Sequence, residues 1–208
     1  MPDRERQVEG AYLRFEELLA AGRFREAFVA NEEAVAAQRA ADSETGANAG
    51  ASMALAILGD LPGGTRQLDA ALTAAPEDPD AERIWRPRTE SLLASAAGDY
   101  TKALAAQRPM QSVKRARPPM LYISGTATLG AGRGADALAD WQRMKQITGF
   151  GFWHALGTLG VARSTAMLGD AAAARRAYQD LLAAWKDADA DLSLMTHAKA
   201  EYAKLGSP

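Results

Sequence analysis

The chain has 208 residues, 48% hydrophobic and 24% charged, with a net charge of −2. This suits one soluble domain with a full core, and so little net charge leaves no global footprint for nucleic acid. Cysteine is absent, which excludes disulfides, thiolate zinc sites and cysteine nucleophiles.

The opening residues 1–7, Met-Pro-Asp-Arg-Glu-Arg-Gln, are charged where a signal peptide is apolar, and no apolar run approaches a membrane span. A soluble, cytoplasmic chain without membrane insertion is therefore expected. If the sequence is a fragment of a membrane-anchored signalling protein, a periplasmic setting is expected instead.

Five turn-like glycines, Gly22, Gly59, Gly98, Gly132 and Gly169, follow one another at intervals of 37, 39, 34 and 37 residues. A helical pattern flanks each, and a period in this range marks stacked helical hairpins. Glycine ends a helix by taking positive φ without strain. Ala27, Ala103, Ala137 and Ala174 stand five residues after four of these glycines, where a small side chain lets two helices cross closely.

In chain order, the first hairpin is expected over about 3–41, with a break at Gly22 and Phe15, Leu18 and Leu19 at helical spacing. A second is expected over 47–75. There Leu61-Pro62-Gly63-Gly64 reads as an enlarged turn and Thr65 as the cap of a short helix. The acidic connector 76–80 leads to a third repeat, 81–110, in which Pro87 forces a kink or a late start and Pro109 cuts the second helix. An irregular basic stretch over 112–119 separates this from regular repeats at 120–147 and 153–186. A last helix, 192–205, is apolar on one face and suits a terminal cap. The expectation is a single all-α solenoid domain of five antiparallel helix pairs plus a capping helix.

Gly169-Asp170-Ala171-Ala172-Ala173-Ala174-Arg175-Arg176-Ala177-Tyr178-Gln179-Asp180-Leu181-Leu182 resembles a tetratricopeptide-repeat junction. The continuation through 183–191 and 198–205 is similar to the end of tetratricopeptide regions in large bacterial signalling proteins, among them eukaryotic-like serine/threonine kinases and winged-helix regulators. Residues 4–9 look like a stretch of the same region. The likeness spans nearly the whole chain and is strongest from Gly98 onward. It implies a right-handed superhelix and a role in binding. The chain carries neither kinase motifs nor a winged-helix segment, and the second repeat strays from the pattern.

The remaining motifs favour structural roles. Asp187, Asp189 and Asp191 alternate like the start of a calcium loop. Leu192 and Ala198 stand where its glycine and glutamate belong, so helix capping is the expected role. Gly130-Ala131-Gly132-Arg133-Gly134 follows a helix rather than a strand and reads as a repeat turn, not a phosphate loop. Gly149-Phe150-Gly151-Phe152 is another turn, with both aromatics expected to be buried. His154 and His197, the two histidines, have no ligand-spaced partners. Two basic groups, Lys114, Arg115 and Arg117 and then Arg83, Arg86 and Arg88, read first as solvated faces and second as a groove for an acidic peptide.

The reading is a non-catalytic interaction module, with no cofactor, metal or catalytic residue, binding a protein or peptide partner on the concave face of its inner helices. Residues expected there are Tyr12, Glu16, Arg88, Tyr122, Thr126 and Arg163, and the partner is expected to carry acidic groups. The alternatives are a small-molecule sensor or enzyme using the hollow of the superhelix, and a structural element that forms homodimers.

Overall fold

The computed structural model of the protein describes residues 10, 13–39, 55, 57, 60–74, 81–112 and 117–206. Among the described residues every regular element is helical. Helix α1 covers 13–20, followed by α2 (Phe24–Arg39), α3 (Leu61–Ala74), α4 (Arg86–Ala96), α5 (Tyr100–Ala106) and α6 (Pro118–Gly130). Then come α7 (Gly134–Thr148), α8 (Phe152–Met167), α9 (Ala171–Ala184) and α10 (Ser193–Lys204). A π-helical turn, Ala81–Trp85, leads into α4, and a 3-10 segment, Arg108–Ser112, follows α5.

The same turn is built four times. Gly22, Gly98, Gly132 and Gly169 take φ of 75–84°. In each case the glycine N–H bonds to the carbonyl three residues back and the next N–H to the carbonyl five back, at 2.9–3.1 Å. These bonds satisfy carbonyls that the ending helix leaves orphaned, and a Cβ would strain the left-handed residue. The residue after the glycine starts the next helix in one of two ways. Asp99 and Asp170 cap it by accepting from Lys102 and Ala173 N–H at 3.0 and 2.9 Å. Arg23 and Arg133 instead donate to Glu26 and Asp136 one turn on, at 2.8 and 2.9 Å. Ala27, Ala103, Ala137 and Ala174 are each 0% exposed, so the small side chain stands where helices come closest.

Several local expectations need correcting. Leu61-Pro62-Gly63-Gly64 is not a loop but the first turn of α3. The Asp60 carboxylate accepts from Gly63 N–H at 2.9 Å, and Pro62 sits where a helix has no use for an N–H. Thr65 therefore lies inside the helix, its hydroxyl donating to the Leu61 carbonyl at 2.9 Å. Pro87 is accommodated by a late start, as the second residue of α4 after the π-helical turn. Helix α6 begins at Pro118, two residues before its expected start. Loop 42–46, connector 76–80 and basic stretch 113–116 lie outside the described residues.

Consecutive helices from α4 to α10 pack against one another, and α4 also packs on α6 and α6 on α8. In an open repeat array each unit touches only its neighbours. Here the first hairpin instead meets the fifth. Phe15, Leu18, Leu19, Phe24, Ala27 and Ala30 share one core with Phe152, Tyr178, Trp185 and Leu192. The Trp185 indole donates to the Ala20 carbonyl at 2.9 Å, and Asp189 N–H bonds to the Gly22 carbonyl at 3.2 Å. The Asp189 carboxylate accepts from Arg25 N–H at 3.1 Å, and Asp191 pairs with the Arg25 side chain. These aspartates thus fasten the first hairpin rather than cap the last helix, whose N-cap, Leu192, makes no side-chain bond. Gly22 is required here twice over, since a Cβ would meet Ala188 Cβ at 2.7 Å.

Trp185→Ala should cost about 3–5 kcal/mol, the range for deleting a buried large side chain. Hydrogen exchange should accelerate over 24–30 before it does in α7 and α8. Uniform acceleration, or none, would show that Trp185 does not hold the hairpin in place.

Candidate functional site

The repeat register defines a row of equivalent positions. Six residues before Gly22, Gly98, Gly132 and Gly169 stand Glu16, Leu92, Thr126 and Arg163. Helices α4, α6 and α8 deliver Leu92, Thr126 and Arg163 to one hollow, which α10 completes with Ser193, Leu194 and His197 and residue Ile57 joins. This part has a volume of about 340 Å³. It adjoins a second part of about 360 Å³ bounded by Tyr100, Leu129, Gly130, Trp141, Leu156, Leu159, Gly160 and Met167. Ser95, Tyr122, Thr126 and Arg163 line both parts.

Glycine makes room for the aromatic wall. A Cβ on Gly125 would lie 2.6 Å from Trp141 Cε2 and Cζ2, and one on Gly160 would collide with the same indole. The ring is thus held between α6 and α8, where only glycine leaves space for it. Tyr122 meets Trp141 edge-to-face at 5.6 Å and Trp153 at 6.1 Å. Two polar atoms in this wall, Ser95 Oγ and Trp141 Nε1, are buried with no hydrogen-bond partner among the described residues. A buried donor left unpaired costs about 1–3 kcal/mol.

Charge in the hollow is internally balanced. Arg163 Nε and Nη2 donate to Glu201 Oε2 and Oε1 at 2.8 and 2.9 Å, and Tyr178 Oη donates to Oε2 at 2.8 Å. Burial alone would raise the Glu201 carboxyl, but the hydrogen bonds and charge of Arg163 hold it below its ordinary value. Burial likewise pulls Arg163 down, and Glu201 more than restores it. The Tyr122 phenol is raised by burial, against opposing effects of Arg163 and a hydrogen bond with Thr126.

Of the six residues expected on the concave face, Tyr122, Thr126 and Arg163 come together. Tyr12 lies outside the described residues. Glu16 is half-buried on α1, where desolvation raises its carboxyl, and it is not among the residues of the hollow. Arg88 is not on an open surface. It is 7% exposed, with its guanidinium 4.7 Å over the Trp85 ring and pulled down to about 10 by burial. Arg163 lines the hollow, but its guanidinium already makes two bonds to the Glu201 carboxylate.

Ser95, Trp141, Ser193, Leu194 and His197 were not among the residues expected on the concave face. The register would have found Leu92, one helical turn beyond Arg88. Nothing in the sequence marks α10 as a wall. A separate hollow of about 450 Å³ lies beside Lys145, His154, Thr158, Asp180 and Trp185, with Phe150 on its rim. Phe150 was expected to be buried and is 87% exposed, because positive φ at Gly149 and Gly151 turns the loop outward. Phe152 is buried as expected. Among the described residues no cluster of histidine, aspartate and glutamate could hold a metal, and no helix is long and apolar enough to cross a membrane.

The chain matches no protein-family model, no curated protein and no solved structure.

With the folded Glu201 carboxyl below its reference value of 4.5, its ion pair stabilises the protein fully above that pH and loses this effect as pH falls through the folded value. Both side chains are about one-third exposed (34% and 32%), which moderates the effect. Glu201→Gln should therefore cost about 1–2 kcal/mol at neutral pH, with variant and wild-type melting temperatures converging in acid. A constant gap down to acid pH would exclude a charge contribution.

Proposed function

We propose that this protein is a non-catalytic, tetratricopeptide-like interaction module that takes a segment of a partner protein in the hollow between α4, α6, α8 and α10. The observation that carries this reading is the convergence of equivalent repeat positions, Leu92, Thr126 and Arg163, on one hollow. The fourfold Schellman turn and the buried alanine that follows each one support the helical-repeat part of it.

A segment suits the site because the two parts of the hollow adjoin through four shared residues, giving length rather than one chamber. Ser193 and His197 are exposed, so the hollow opens at the surface. Its walls are mainly apolar with a few polar groups, as binding sites usually are. A binding role without catalysis fits the chemistry of the lining. Ser95 Oγ has no hydrogen-bond partner among the described residues, so no base holds it as a nucleophile. The ion pair of Arg163 with Glu201 moves the reading away from an acidic partner and towards a neutral one.

Panning a random peptide library tests this. Peptides enriched on the wild type should lose binding at least tenfold to Thr126→Phe, which fills the shared part of the hollow. They should keep it on Lys102→Ala and Arg176→Ala, whose side chains are exposed elsewhere. Peptides that bind Thr126→Phe as well as the wild type would rule out the hollow as the site.

A further inference from the structure

We propose that two copies of this chain pair about a two-fold axis, with the exposed Phe150 of each protomer seated in its partner's hollow beside Lys145 and Asp180. This surface shares no lining residue with the hollow between α4, α6, α8 and α10, so it stands independently of the function proposed there.

The loop that carries Phe150 holds it outward at a conformational cost. Gly149 has φ 65° and ψ −47°, and the Phe150 N–H bonds to the Thr148 carbonyl at 2.7 Å. That is a γ-turn of the rare, strained kind. Gly151, at φ 86° and ψ −167°, occupies a region that is essentially restricted to glycine. A Cβ at either position would meet nothing within 4 Å, so backbone conformation rather than crowding calls for glycine. The one side chain between these two glycines is Phe150, 87% exposed. Two glycine-only conformations thus leave a phenyl ring in water, and strain of this kind collects at functional sites.

The recess that receives the ring lies beside it. Its volume is about 450 Å³, and its walls come from α8 at Ala155 and Thr158, α9 at Leu181 and Ala184, and Ala20 of the first hairpin. A cavity of about 150 Å³ is enough to hold benzene, so there is room for a phenyl ring. Ala20 and Ala184, neither of them buried, keep two of the walls low.

Charge and placement identify the occupant as a second copy. Lys145 and Asp180 line the same recess, and neither side chain makes an ion pair or hydrogen bond among the described residues. A foreign segment of one charge would satisfy only one of them. A patch that carries a knob, a recess, a cation and an anion is complementary to itself, as an isologous interface requires. Phe150 also lies on the rim of the recess, so an axis through the patch exchanges both knobs at once. A knob and a recess on distant faces would instead build an open chain of copies. Lys145 of one protomer then faces Asp180 of the other, and exposed pairs of this sort set register more than affinity.

Sedimentation velocity from micromolar to millimolar protein tests this. The wild type should pass from monomer to dimer and grow no further. Phe150→Ala should raise the dissociation constant at least tenfold. Its melting temperature, compared where both proteins are monomers, should match the wild type because the side chain is exposed. Lys145→Asp and Asp180→Lys should each weaken the dimer at least threefold. The double variant should return to within twofold of the wild type, since the exchanged charges meet again across the axis. Should Lys145→Asp fail to fold, Phe150→Ala and Asp180→Lys carry the comparison. A wild type that stays monomeric throughout, a dimer that Phe150→Ala leaves unchanged, or association that continues beyond the dimer would overturn the inference. A folded double variant as weak as the single ones would overturn the two-fold pairing of Lys145 with Asp180.

Discussion

From Trp141 the rings run edge-to-face through Tyr122 to Trp153, on to Phe152, and then to Phe24 and Trp185 or near-perpendicular variants of that contact. Each such pair contributes about 0.5–1.5 kcal/mol beyond its buried area. The arrangement matters more than the sum. Trp141 and Tyr122 wall the hollow, whereas Phe24 and Trp185 join hairpins that are far apart in sequence. Phe152 and Trp153, neighbours at the start of α8, serve both groups. One continuous set of contacts therefore runs from the wall of the cavity to the junction of the first hairpin with Trp185.

The repeat was legible because it is local. A glycine that must be left-handed and an alanine that must be small are steric statements about a single hairpin, and Gly98 with Ala103 or Gly169 with Ala174 states them without reference to the rest of the chain. The row ending in Thr126 and Arg163 was legible for the same reason. Arg88 was expected on an open face but is 7% exposed with Trp85 against its guanidinium, and helical spacing alone does not say which face tertiary packing covers. Asp60 was missed as a cap because Pro62-Gly63-Gly64 looks like a loop until the carboxylate engages the Gly63 N–H. Contacts such as Arg25 with Asp191, 166 residues apart, leave no periodic trace at all.

Arg163 shows how a cation lining a hollow can be engaged within the fold. Its fork meets Glu201 with both nitrogens, and Tyr178 adds a third bond to the same carboxylate. The pair holds α10 against α8 and α9, and α10 in turn contributes Ser193, Leu194 and His197 to the hollow. The ion pair that occupies Arg163 also ties the last wall of the hollow to α8.

The meeting of the first hairpin with residues 185–191 also has a consequence for synthesis. Phe15, Leu18, Leu19 and Phe24 leave the ribosome early, but Trp185, which covers part of that surface, lies some 165 positions from the Ala20 carbonyl it bonds. At 5–20 residues per second, the apolar face of the first hairpin waits on the order of 10–30 s for its partner. An open array could complete each unit as the next one emerges. Here the apolar face of the first hairpin is covered only after Trp185 has been made.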